Sequence, residues 1–172
     1  WAGVLNAGLF AMRTTAATAT FLEQWERLVT GPGAFDRTLG GQTEQNAFNW
    51  VVAFVDRVRV LRDPAYNVAY WNLHDRALRW TGLDGPDDGF TVDGRPLVAF
   101  HFSGFSPFEP TTLSRHQTRY DLHVLPSVAR LCATYADELR DAGAASHAAR
   151  PWRFGRFPSG VPVDDRIRDL LK

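Results

Sequence analysis

Along this chain the spacing of the apolar residues switches repeatedly, with short strand-like runs alternating with runs at helical period. Strands interleaved with helices argue for an α/β or α+β fold. Val4–Met12 (VLNAGLFAM) reads as a strand with an irregular start at Asn6. Thr20-Phe21-Leu22-Glu23 fits a capping box, and Phe21, Leu22, Trp25, Leu28 and Val29 follow it on one helical face until Gly31-Pro32. Gly33–Gly41 reads as a loop. A second helix is expected from Glu44 to Asp56, with Phe48, Val51, Val52 and Val55 inward, and Val58–Leu61 as a short strand. Asp63–Arg79 is rich in aromatics and amides without a clean period, the pattern of a structured loop.

Phe90-Thr91-Val92, Asp93-Gly94 and Pro96–Phe102 give the strongest local signal, a hairpin whose Asp-Gly pair supplies the positive φ angles of a tight turn. Its second arm, LVAFHF, is apolar enough for a central strand. A long helix is predicted over Pro126–Ala142, with Val128, Leu131, Cys132, Tyr135 and Leu139 on one face and Gly143 ending it. Ala144–Arg150 then reads as a connector, Trp152–Val163 as an aromatic arm and Asp164–Leu171 as a short final helix. The domain reading is 1–143, with 144–172 as connector, arm and terminal helix.

Composition narrows the function classes. In 172 residues, nineteen basic side chains balance nineteen acidic ones, which removes the basic excess that non-specific nucleic-acid or anionic-membrane binding needs. Eighteen of the nineteen are Arg, scattered too widely for anion grip to account for them. Cys132 is the one cysteine, so neither an intramolecular disulfide nor a Cys-based zinc site is possible. No apolar run approaches the roughly 20 residues of a membrane helix. A cytoplasmic protein is the expectation.

His101-Phe102-Ser103-Gly104 is the sharpest chemical feature. A histidine at the end of a buried strand points into the crevice where open α/β sheets bind ligands, and neutral imidazole is a good metal ligand. Gly104 lets backbone approach a ligand closely and offer N–H groups to an anion. A hydrogen-bonded core histidine beside a glycine turn gives the same string. Glu44 and Gln45 at a helix start can grip sugar hydroxyls, though an acidic first helical turn is common for its own sake. Asn6-Ala7-Gly8 and Tyr66-Asn67 are each either turns or site segments. Tyr70, Trp71 and Trp80 offer sugar-stacking faces or core packing. Arg115 and Arg119 offer charge to a phosphate, or simply solvated helix-start cations. Asp84–Asp88 (DGPDD) lacks the regular oxygen spacing of a calcium loop and reads as a connection flanking the hairpin.

Asn-x-Gly, an acidic-Gln-x-x-apolar-Asn helix start, Tyr-Asn, and a strand ending in His-x-x-Gly occur in that order. This order resembles the C-terminal half of retaining GT-A (nucleotide-diphospho-sugar transferase, Rossmann-like) glycosyltransferases such as glycogenin and the lipopolysaccharide galactosyltransferases. YNVAYWNLHDR, FHFSGF and LSRHQTR are similar to a bacterial branch of GT-A enzymes, and the resemblance spans Leu5 to Gly160.

What it implies is transfer of a hexose from a nucleotide diphosphate sugar to an acceptor hydroxyl, retaining and dependent on Mn2+ or Mg2+. His101 takes the place of the metal and diphosphate ligand, and Gly104 that of the motif glycine. Glu44 and Gln45 take the place of the acidic-Gln pair at the donor sugar, as the catalytic residues. Asn49 belongs to the same motif, and Asn6 and Gly8 to the segment beside the sugars. Tyr66, Asn67, Ser103, Arg115 and Arg119 complete the substrate-binding candidates.

Three departures stand out. The Lys-Pro-Trp that follows His-x-x-Gly is absent; Ser106-Pro107-Phe108 lies nearby, and Arg115 or Arg119 is the substitute cation. Glu44 replaces Asp. No strand ending in Asp-x-Asp precedes Asn6, so the chain matches only the C-terminal part of such an enzyme and is expected to be inactive without the nucleotide-binding half. Two other classes compete: a non-catalytic carbohydrate- or protein-binding domain derived from such an enzyme, and a hydrolase pairing His101 with Ser103.

Overall fold

Alanine-rich sequence begins the first helix earlier than the Thr20 capping box predicts. In the computed structural model, which describes residues 5–31, 45, 47–82, 89–151, 154–164 and 166, α1 runs Ala16–Thr30. Its cap is Thr15, whose hydroxyl accepts from the Thr18 N–H while the Thr18 hydroxyl accepts from the Thr15 N–H. Alanine is the best helix former, so Ala16, Ala17 and Ala19 carry the helix back to the earlier hydroxyl pair. Thr20 then sits inside the helix and donates to the Ala16 carbonyl. The helix stops at Gly31, which is extended (φ −70°, ψ 161°), the conformation favoured for a residue before proline.

The chain divides into two compact units, Trp1–Val60 with Arg153–Lys172, and Leu61–Trp152. In the first, α1 is followed by α2 (Ala47–Phe54). Phe48 is its buried hub, with ring centroids 5.0 Å from Phe10, 5.8 Å from Phe21 and 5.1 Å from Trp25. Phe21, Trp25 and Val29 form the half-buried stripe of α1, whereas Leu22 and Leu28, expected on that face, are exposed. Val52 of α2 is likewise exposed rather than inward. Residues 5–12 form no strand: the Gly8 N–H turns back to Asn6 Oδ1 (2.8 Å), and the ring of Phe10 joins the aromatic cluster. Residues 58–61 also pair with no strand, and Val58, Val60 and Leu61 are exposed. In the arm, Arg156 and Pro162 form an antiparallel bridge around Gly160 (φ 85°).

The second unit carries a small antiparallel sheet, β1 (Leu78–Trp80), β2 (Phe90–Val92) and β3 (Arg95–Pro96), in that order. Leu78 lies opposite Val92, and Thr91 opposite Pro96. Asp93 (φ 52°) and Gly94 (φ 78°) both adopt the positive φ that this two-residue turn demands. Asp93 also accepts the Ala77 N–H on its carboxylate (2.9 Å), tying the turn to β1. LVAFHF is not a central strand. Past Pro96 the Leu97 N–H still donates to the Phe90 carbonyl of β2 (2.7 Å). After that the chain pairs locally with the 65–68 segment, where Phe100 bridges Val68 in parallel and the Val98 and Ala99 N–H groups converge on the Ala65 carbonyl. The partner segment turns at Asn67 (φ 50°), so no ladder can extend along it.

α3 (Pro126–Asp141) opens with proline at its first position and ends before Gly143 (φ 86°), close to the predicted Pro126–Ala142. Val128, Leu131, Cys132 and Ala136 are its buried face. Within this unit's core, Val128 and Cys132 meet Leu113 and Leu122, with Phe100, Phe102, Phe105 and Tyr70 packed around them. Phe102 stacks on Tyr135 at 3.9 Å between centroids, and the Trp80 N–H donates to Ser127 Oγ. The predicted connector holds a short helix, α4 (Ala144–Ala148), again because alanine favours it. Helices together with a three-stranded sheet make the fold broadly α/β. Among the described residues no helix is long and apolar enough to cross a membrane. The predicted 33–41 loop, Asp84–Asp88 and nearly all of the final helix lie outside the described residues.

Candidate functional site

The turn at Asn67 is the structural centre of the histidine site. A left-handed backbone is unfavourable for most side chains, and asparagine is among the few that tolerate it. The turn is held from behind by residues of the same YNVAYWNLHDR string. Asn72 Nδ2 donates to the Asn67 carbonyl (3.0 Å), and Asn72 Oδ1 accepts from the Ala69 N–H (2.8 Å). Arg76 Nη1 donates to the carbonyls of Pro64 (3.1 Å) and Tyr66 (2.7 Å). Asp63 accepts the Ala65 N–H and pairs with Arg95 of β3. Val68 and Ala69 between these clamps are completely buried.

His101 meets this turn across 34 residues: its Nδ1 lies 3.2 Å from Asn67 Oδ1. The backbone locks the same register, because the His101 N–H donates to the Val68 carbonyl at 2.7 Å. Trp71 stands edge-on to the imidazole, with centroids 5.0 Å apart and planes at 76°. His101 itself is only half-buried. Asn67 and His101 are therefore two substrate-site candidates that the fold brings together.

Gly104 (φ 71°) follows in a turn where a Cβ would lie 2.5 Å from His116 Cδ2 and 2.8 Å from Ser114 Oγ. The close approach that this glycine permits is that of the chain's own Ser114 and His116. Its carbonyl accepts the Arg115 N–H (3.0 Å), so the FHFSGF and LSRHQTR strings are joined there. Ser114 is buried and its hydroxyl accepts the His116 N–H. Arg115 and Arg119 are exposed.

Ser103 donates its N–H to the His101 carbonyl, and its hydroxyl makes no hydrogen bond to the imidazole, so no nucleophile–base pair is formed there. Tyr70 packs in the core, and one face of Trp80 is covered by the Arg130 guanidinium 4.2 Å from the ring centroid. Tyr66 contributes its carbonyl to the Arg76 clamp.

In the other unit, Gln45 and the Asn6-Ala7-Gly8 turn come together. Gln45 Oε1 accepts the Ala7 N–H at 3.0 Å across 38 residues, and Asn6 Oδ1 closes the turn on Gly8. Asn49 is half-buried on α2. Glu44 lies outside the described residues.

No three His, Cys, Asp or Glu side chains gather as a possible metal site among the described residues. Hard divalent ions take several oxygen ligands, so His101 alone does not make a Mn2+ or Mg2+ site there. The clamps at Asn72 and Arg76 escape a reading of single motifs, because neither residue belongs to a ligand pattern. Their signal is amide and guanidinium groups at fixed offsets behind a Tyr-Asn turn. Comparison with known protein families, curated proteins and solved structures finds no match.

Proposed function

We propose that this chain is the C-terminal part of a cytoplasmic, bacterial GT-A glycosyltransferase that moves a hexose from a nucleotide diphosphate sugar to an acceptor hydroxyl with retention. The observation that carries this reading is pairwise. Motif segments far apart in sequence meet within each unit, Asn6-Ala7-Gly8 with Gln45 in one and Asn67 with His101 in the other.

The roles follow from side-chain chemistry. His101 stands at the diphosphate, where its ring nitrogen would help to hold the cation that neutralises charge developing on the leaving group. Glu44 and Gln45 orient the donor sugar, with the Gln45 amide serving the anomeric carbon. Asn6, Gly8 and Asn49 support that sugar, and Tyr66, Asn67, Ser103 and Gly104 shape the surroundings of His101. Arg115 and Arg119, both exposed, are the cations available to phosphate in place of the missing lysine. A Mn2+ or Mg2+ ion would supply Lewis acidity, and it needs ligands from outside the described residues.

The test is His101→Ala in the full-length parent. Transfer should drop by two or more orders of magnitude, about 3–4 kcal/mol by comparison with a lost oxyanion donor, with Tm nearly unchanged. A sharp fall in Tm with unchanged activity per folded molecule would make His101 a packing residue and overturn the assignment.

A further inference from the structure

Asparagine side-chain oxygen only accepts hydrogen bonds, so an imidazole nitrogen facing it in the neutral ring must carry the proton. His101 Nδ1 faces Asn67 Oδ1 at 3.2 Å. That contact exists because the Asn67 backbone is left-handed, and the backbone is held there by Asn72, which grips the Asn67 carbonyl with one end of its amide and the Ala69 N–H with the other. Arg76 secures two preceding carbonyls, at Pro64 and Tyr66.

We propose that Asn72, acting through Asn67, is a positioning residue that fixes neutral His101 as the Nδ1–H tautomer and leaves the Nε2 lone pair as the ring's acceptor face. A ring nitrogen used as a ligand or proton acceptor must keep its lone pair free, and the hydrogen bond at the other nitrogen decides which one that is. The use of Nε2 on a phosphate proton or a cation rests on the glycosyltransferase reading. The tautomer does not, and it is measured without donor, acceptor or metal.

The experiment is long-range 1H–15N correlation on the 15N-labelled chain near pH 8.5, about two units above the ordinary imidazole value. The chain has five histidines, and the signals lost in His101→Gln identify those of His101. The wild-type ring should show the Nδ1–H pattern. Asn67→Asp, which keeps an acceptor and tolerates a left-handed backbone, should retain it; Asn67→Leu should lose it. Asn72→Ala should lose the single-tautomer pattern while the rest of the spectrum stays dispersed. An Nε2–H ring in the wild type overturns the proposal whatever the variants do. So does an Asn72→Ala chain that melts at a lower temperature but keeps the wild-type tautomer.

Discussion

At the scale of single residues, Gly104 and Cys132 make the sharpest claims. Gly104 is needed twice over, for its positive φ and for the space that His116 and Ser114 occupy. Gly104→Ala should cost about 1–3 kcal/mol in urea unfolding from the backbone alone, with the clash added to that. A second substitution, His116→Ala, removes the nearest contact but leaves both the φ and Ser114, so it should recover only part of the loss. Full recovery would show that space alone matters. Burial pushes the Cys132 thiol from an ordinary 9.0 up to about 12. The folded chain therefore keeps its proton from about pH 9 to 12, where the unfolded chain has lost it. Stability from this group is complete below pH 9 and declines as pH rises through that window, by at most ~1.4 kcal/mol per unit. Urea titrations of wild type and Cys132→Ala between about pH 8 and 11 check it. The variant should start less stable and fall less steeply.

At the scale of elements, α1 and the aromatic cluster divide the work of the first unit. No residue of α1 is fully buried, so its start depends on the Thr15–Thr18 box, while Phe48 anchors three rings. Phe48→Ala should cost about 3–5 kcal/mol, against ~1 kcal/mol for Thr15→Ala. Chemical unfolding followed by Trp fluorescence ranks them, and an equal cost would mean that the cluster contributes little beyond helix capping. In the second unit, the hairpin turn and α3 agree with local sequence. The stretch after Pro96 does not, because a strand needs a straight partner and its neighbour turns at Asn67.

At the scale of the whole molecule, the Leu61–Trp152 unit is continuous in sequence and has its own core of Leu113, Leu122, Val128 and Cys132. A continuous segment with its own core has what a domain needs to fold alone. A 61–152 fragment should unfold cooperatively in urea and retain the His101 tautomer of the full chain. A fragment without a cooperative transition would show that this core needs the remaining residues. The 172-residue chain should neither hydrolyse nor transfer from a panel of nucleotide sugars with Mn2+, since the proposed reading leaves other metal ligands in the parent. Robust turnover by the purified chain would overturn that reading.

Features that depend only on neighbours in sequence are legible in the sequence itself. Asp93-Gly94 dictates its turn because few residue pairs accept two positive φ angles. Pro126 and Gly143 bracket α3 because each breaks or starts a helix by its own covalent geometry. The motif order likewise singles out His101, Asn67, Gln45 and Asn6 as candidates. Which of them touch is a tertiary matter. No local rule joins Asn67 to His101 or Gln45 to Ala7, since those contacts close loops of 34 and 38 residues whose path is set by the packing of the residues between them. The same holds for Val4–Met12 and LVAFHF. Apolar spacing marks a segment as suited to a strand, but a strand exists only where a straight partner supplies its hydrogen bonds, and around residues 5–12 and 97–102 the fold supplies turns and rings instead.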